Sequence, residues 1–359
     1  MTDELKLFAK LFFMITVLFI VFLYFLSIIL QPALFYFTPE GLSTSMRELR
    51  SLSIWFFTGT LYIPVESNLG VLLLGLWITF VVSFAVAWKI RKNFHAVIKE
   101  SVTKPFGQLF RSSLFAMPIL NSMALIAVLL IQSLQEAGGI PTGTSPLPGE
   151  PFLDLIELSY AAVFEEISFR IFPIGAFMII YLVVKARKEA SYSSTKKTKL
   201  FFMAFLLPDK AKEIVNIKTV DKHGLLRGIS LGGWGMVAFT TVIFGLAHFA
   251  PGASWEVGKI TSSAFSGLII AICYLAYGAH AAIIMHWFFN VYVDVYGLLA
   301  EYYPVVSPFV SAIWLLTIIL GIMGWIVMTG LWLSKLNRVN QKEKNRQNKS
   351  MENLTISPQ

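Results

Sequence analysis

Two adjacent glutamates and an arginine, Glu165-Glu166-x-x-x-Arg170, interrupt a stretch from about Phe152 to Val184 that is otherwise apolar enough to cross a membrane. Each charge at mid-bilayer depth costs roughly 2.5–3.5 kcal/mol on insertion scales, so the cluster needs partners, a water-filled cavity, or both. Two further apolar segments carry polar pairs, Phe244 with His248 and His286 with Asn290. Four-residue spacing sets both members of a pair on one helical face. A carboxylate, two imidazoles and an amide on three helices can activate a water molecule and hold an oxyanion. Attack of such a water on an amide carbonyl hydrolyses a peptide bond.

The spacing also divides the labour. Glu165 and Glu166 point about 100° apart on a helix, so they cannot serve one purpose equally. Glu166 and Arg170 stand at the separation of an intrahelical ion pair, which leaves Glu165 to face a cavity and share a water with His248. His286 and Asn290 are expected to aim at one spot as oxyanion donors. A metal version is the alternative: Glu165, His248 and His286 as the two-histidine, one-carboxylate ligands of a zinc ion with an open position. No His-Glu-x-x-His segment supports it. A third class, a transporter or a peptide-binding scaffold, would also use intramembrane Glu and His. Against it stand the lack of repeat symmetry and of matched Gly/Pro-broken helix pairs.

Several titratable residues have plainer readings. Asp154 and Glu157 lie at a helix start, where acidic groups meet the macrodipole. His95 and His223 fall in basic loops and are expected to be solvated, and His280 opens a span and is expected at the interface. Asp294, one turn past Asn290, either orients the site or sits at the membrane edge. The single cysteine, Cys273, excludes an intrachain disulfide and a thiolate zinc cage and reads as a small core residue.

The elements that must hold this set are membrane helices. The 359 residues are 56% hydrophobic and 14% charged, with mean hydropathy +0.69, far from the balance of a soluble domain. Eight spans are expected: about Leu11–Leu30, Leu69–Trp88, Ser113–Leu134, Phe152–Val184 with a kink at Pro173, Gly228–Ala250, Ile260–Tyr277, Ala279–Leu299 and Pro308–Leu333. The fold class is therefore an all-α polytopic bundle. Residues 1–151 supply three helices and their loops, and residues 152–334 form the core with a basic insertion at about 185–227. The tail 335–359 is charged, Asn/Gln-rich and expected to lack regular structure. The net charge of +8 lies in short blocks between spans, a pattern of orientation signals and headgroup contacts that excludes a nucleic-acid face. Lys89, Arg91, Lys92, Lys99, Lys104 and Arg111 follow the second span, basic blocks follow the fourth and eighth, and Lys6 and Lys10 flank the first. Both termini are then expected in the cytoplasm, with Arg47 and Arg50 the one objection.

The order Glu165-Glu166-x-x-x-Arg170, Phe244-x-x-x-His248, His286-x-x-x-Asn290 resembles the CPBP family of CAAX proteases and bacteriocin-processing enzymes. The resemblance covers about Phe152 to Leu299, and all three motifs match. It implies an eight-helix intramembrane endopeptidase without an obligatory cofactor. Glu165 and His248 would activate the water, and His286 and Asn290 would stabilise the oxyanion. Glu166 and Arg170 would support the site or contact a substrate carboxylate. The implied substrates are membrane-anchored or lipidated peptides, such as prenylated Cys-a-a-X proteins or peptide precursors. The Arg170–Phe244 interval, with its Lys-rich insertion, is long for that family.

Overall fold

Long apolar runs without charge have one way to satisfy their backbone in lipid, and the chain takes it. In a computed structural model, residues 3–56, 59–101, 103–186, 194–249 and 254–355 are described. The first span is α1 (Asp3–Phe37), followed by the short α2 (Pro39–Ser45). A hairpin of β1 (Glu48–Phe56) and β2 (Gly59–Asn68) leads into α3 (Leu69–Lys89), the short α4 (Phe94–Ser101) and α5 (Ser113–Ala137). The fourth span comprises α6 (Pro151–Glu166), a π-helical turn over Ile167–Ile171, and α7 (Phe172–Ala186).

The insertion holds α8 (Ser194–Leu206), α9 (Pro208–Ile214) and two single turns, α10 (Val220–His223) and α11 (Leu225–Gly228). Then come α12 (Leu231–Ala247), α13 (Val257–Tyr277) and α14 (Ala279–Trp287). A second π-turn over Phe288–Tyr292 joins α14 to α15 (Val293–Tyr302), and α16 (Ser307–Thr355) closes the chain.

Seven of these stretches are long and apolar enough to cross a membrane, and α12 is a shorter apolar helix. The protein is an all-α, multi-pass membrane protein. Span edges fall within four residues of those expected, except that the first span runs on to Phe37, seven residues past Leu30; Ala250 and the basic residues Arg187 and Lys188 lie outside the described residues.

Three features depart from the sequence reading. The loop after the first span is a paired antiparallel hairpin, with Ser53 opposite Tyr62 and Trp55 opposite Thr60. The break expected at Pro173 is the π-turn just before it, where Phe172 N–H reaches back to Ile167 O. Proline offers no N–H to the turn behind it, and a widened turn absorbs that loss. The tail, expected to be irregular, continues α16 as helix to Thr355. Its Lys, Glu, Gln and Arg content favours helix, and extending an existing helix needs no new nucleus.

Helices in lipid gain little from hydrophobicity alone and associate by close packing and shared polar contacts. Tyr24 on α1 is the hub of one such contact. Its ring lies 5.3 Å from that of Trp287 and 4.8 Å from that of Tyr292, both edge-on. Its hydroxyl accepts a hydrogen bond from Asn121 Nδ2 on α5 at 3.1 Å. Gln31 Nε2 on α1 donates to Ser159 Oγ on α6 at 2.8 Å. These ties fix α6 and α14 against the same scaffold.

The insertion is docked rather than loose. Asp209 in α9 accepts from the backbone N–H groups of Val220 and Asp221 and pairs with Arg91 Nη2 at 2.9 Å. Arg91, taken from sequence as an orientation charge, is nearly buried and stacks 4.5 Å over the Tyr277 ring. Burial pushes the Lys212 ammonium below its ordinary range, against the pull of Asp209.

Candidate active site

The three motifs meet where α6 passes α14 and the end of α12. Glu166 and Arg170 are wholly buried and form the ion pair that their spacing predicts, Nη1 to Oε1 at 2.9 Å, across the start of the π-turn. The same Glu166 oxygen is 2.8 Å from His286 Nδ1. An ionised carboxylate only accepts, so Nδ1 carries the proton in that bond. The other ring nitrogen, Nε2, then faces Glu165 Oε2 at 3.8 Å. Glu165 keeps 29% of its side chain exposed, against none for Glu166. Of the two neighbours, Glu165 alone can meet water.

His248 ends α12 as its C-cap residue. Its Nδ1 is 2.8 Å from Phe244 O, four residues back. A carbonyl oxygen only accepts, so that nitrogen is the donor and Nε2 keeps its lone pair. The four-residue spacing thus sets a tautomer as well as a face. His248 feels the charges of Glu165 and of Lys259 at the start of α13.

Phe244 is the apolar centre of the cluster. Its ring carries the Arg170 guanidinium at 3.8 Å and meets the rings of Phe169 at 5.3 Å, His248 at 4.7 Å and His286 at 6.1 Å. This cation–π contact covers part of a charge whose Nε and Nη2 have no hydrogen-bond partner. Of the two roles expected of Arg170, support of the site fits this placement better than contact with a substrate carboxylate, since the guanidinium lies beneath Phe244 and inside its pair with Glu166.

Asn290 falls in the second π-turn, and its Nδ2 donates to Leu158 O on α6 at 3.3 Å. Leu158 lies seven residues before Glu165, about 10 Å along the helix. The amide thus ties α6 to the end of α14, a structural bond that its expected oxyanion role did not include.

The zinc alternative was tested on the donors themselves. Among the described residues no three His, Cys, Asp or Glu groups converge as a metal would require. His286 commits Nδ1 to Glu166, which leaves Nε2, 3.8 Å from Glu165 Oε2, as the one nitrogen it could offer a metal.

Two contributors were not visible in the motifs, and both lie on α13. A Cβ at Gly267 would come within 2.8 Å of Phe244 Cδ1 and 2.9 Å of Arg170 Nη2, so only glycine leaves room for that pair. A Cβ at Gly245 on α12 would meet Ile260 O at 2.7 Å, and this close crossing sets Lys259 beside the His248 end of α12. Small residues at such a crossing are the available sequence signal. His280, expected at an interface, is buried against Ser113 Oγ at 3.2 Å, outside this cluster.

Comparison of the chain with family models, with curated proteins and with solved structures finds no match. The likeness to CAAX-type proteases therefore rests on the motif residues alone.

Proposed function

We propose that this protein is an intramembrane endopeptidase that hydrolyses a peptide bond of a membrane-anchored substrate with a water activated by Glu165 and His248. The observation that carries this reading is the position of His286, held by Glu166 on one side and facing Glu165 on the other. An oriented histidine between a buried and a half-buried carboxylate suits acid–base chemistry.

In the proposed reaction Glu165 takes one proton from the water, and His248 Nε2 accepts its second hydrogen as a hydrogen bond. The hydroxide oxygen bonds to the substrate carbonyl carbon. Glu165 passes the proton that it took to His286 Nε2, which it faces at 3.8 Å, and His286 gives it to the leaving amide nitrogen as the C–N bond breaks. Glu166, fixed by Arg170, keeps the imidazole in register throughout.

The motif resemblance to the CPBP family supports this reading, as do the seven long apolar helices together with the shorter apolar α12 among the described residues. The basic blocks after α3 and α7 suit both termini on the cytoplasmic side. The test is a mass-spectrometric comparison of membrane and secreted peptides from cells carrying the native protein or Glu165→Ala. A peptide pair that joins into one precursor only in the variant supports the proposal, and identical peptide sets would sink it.

A further inference from the structure

The β1–β2 hairpin runs down beside α6 instead of lying over the end of the bundle. Two contacts fix its direction: Arg47, just before β1, pairs with Glu150, just before α6, and Tyr160 OH donates to Ser53 O at 2.7 Å. Between these points the strand advances six residues, about 20 Å, and the helix ten residues, about 15 Å. Three residues on, Phe56 at the tip comes level with the end of α6, and β1 packs against the π-turn. The span Pro151–Lys185 is 35 residues long, about 52 Å, and its middle residue, Ser168, lies in that turn. A bilayer centred on this span puts the tip at mid-membrane depth, level with Glu165.

The register shows which backbone groups are open. Ser53 points its carbonyl away from β2, so Ser53–Tyr62 is a non-hydrogen-bonded pair, as is Trp55–Thr60 two residues on. The N–H and C=O groups of Tyr62 and Thr60 then face outward on the far edge of β2. Pro64 has no N–H and ends that edge toward the base. Along this edge Leu61, Tyr62 and Ile63 are exposed. An open sheet edge at hydrocarbon depth is not tolerated without a partner.

We propose that the Thr60–Tyr62 edge of β2 is a docking strand for an extended segment of the membrane-borne substrate, a proposal that rests on the protease reading above. A peptide bond inside a helix is shielded, so a scissile segment must first unwind. Unwinding at this depth frees backbone donors and acceptors that water cannot satisfy. The edge offers the complementary groups at the same depth, beside Glu165, and pairing resolves both deficits. The paired segment flanks the scissile bond, and the chain continues past the tip into the cluster.

The test uses Glu165→Gln protein in nanodiscs, so that binding is read without cleavage. The probe is a synthetic peptide with one Leu/Ala membrane helix followed by ten Val/Ser/Gly residues. A photocrosslinking amino acid at position 62 reports docking, and backbone N-methylation is moved along the probe. Pairing predicts about tenfold weaker crosslinking, the effect of one lost hydrogen bond, at every second methylated residue. Thr60→Pro should weaken crosslinking similarly, Thr60→Val should not, and Trp55→Pro, which disturbs the same rung from the covered edge, should not. Crosslinks without a two-residue period, or crosslinks only to a second copy of the protein, overturn the proposal. Two-residue periodicity with no cleavage of the probe by native protein supports the docking strand and counts against the protease reading alone.

Discussion

His286 Nδ1 and Glu166 Oε1 are 2.8 Å apart, and the same oxygen is 2.9 Å from Arg170 Nη1. One carboxylate thus joins the helix that carries both glutamates to the helix that carries the histidine. Glu166 holds the two helices together, and in the proposed reaction Glu165, with 29% of its side chain exposed, is the one left to meet the water.

Glu165→Gln keeps size and hydrogen bonding but removes the basic oxygen. Turnover should fall about 10²–10⁴-fold with substrate binding largely kept. Single-turnover cleavage and binding in detergent check this, and full activity in a stable variant would give the base role to another group.

Glu166→Gln should fail in a different way. Arg170 is fully buried, and breaking a buried pair costs on the order of 3–5 kcal/mol. The melting temperature should drop well below that of Glu165→Gln. Equal melting temperatures would show that Phe244 alone suffices to hold the guanidinium.

Gly267→Ala introduces a Cβ into the contact between Phe244 and Arg170. Overpacking of this kind costs about 1–3 kcal/mol. Thermal melting should report it, with a parallel loss of turnover as His248 and His286 shift. A variant unchanged in both would place the crowding elsewhere on α13.

The span edges were legible in the sequence because hydropathy over twenty residues is a bulk property. The Glu166–Arg170 pair was legible too, since it lies within one turn. The bond from Glu166 to His286 was not, because it joins residues 120 positions apart on different helices. The bond from Asn290 to Leu158 O was not legible either, since it joins residues 132 positions apart, and nothing in Phe288–Tyr292 announces a π-turn. The hairpin did leave a trace. β-branched and aromatic residues lie on both sides of Gly59, a strand–turn–strand pattern masked by the membrane helices around it.

Asp209→Asn should release the insertion. Arg91 and Asp209 keep 10% and 7% of their side chains exposed, so the lost pair again costs on the order of 3–5 kcal/mol. Limited trypsin digestion should then cut between residues 199 and 227 while the membrane core survives. Unchanged resistance would show that the packing of α8 and α9 holds the insertion without the pair.

The Arg47–Glu150 contact at the hairpin base should respond to acid. The hydrogen bond from Arg47 holds the Glu150 carboxyl below its ordinary 4.5. A lowered folded value means that the contact contributes fully above pH 4.5 and is lost as pH falls past that lowered value. Amide exchange at Glu48 and Leu49 should therefore speed up only below about pH 4.5, relative to the intrinsic rate. Acceleration near neutral pH would point to another latch.

Each π-turn packs one more residue into a helix than its length requires, and each lies within a motif, after Glu166 and after Trp287. The helices on either side are therefore offset in sequence by one position while staying in phase in space. Losing a single codon within Ile167–Phe169 would let the turn close to ordinary α-helix and leave a segment still long and apolar enough to insert. Arg170 would then stand three residues from Glu166 instead of four. Such a chain would reach the membrane with its bundle intact and only the grip of Arg170 on Glu166 altered.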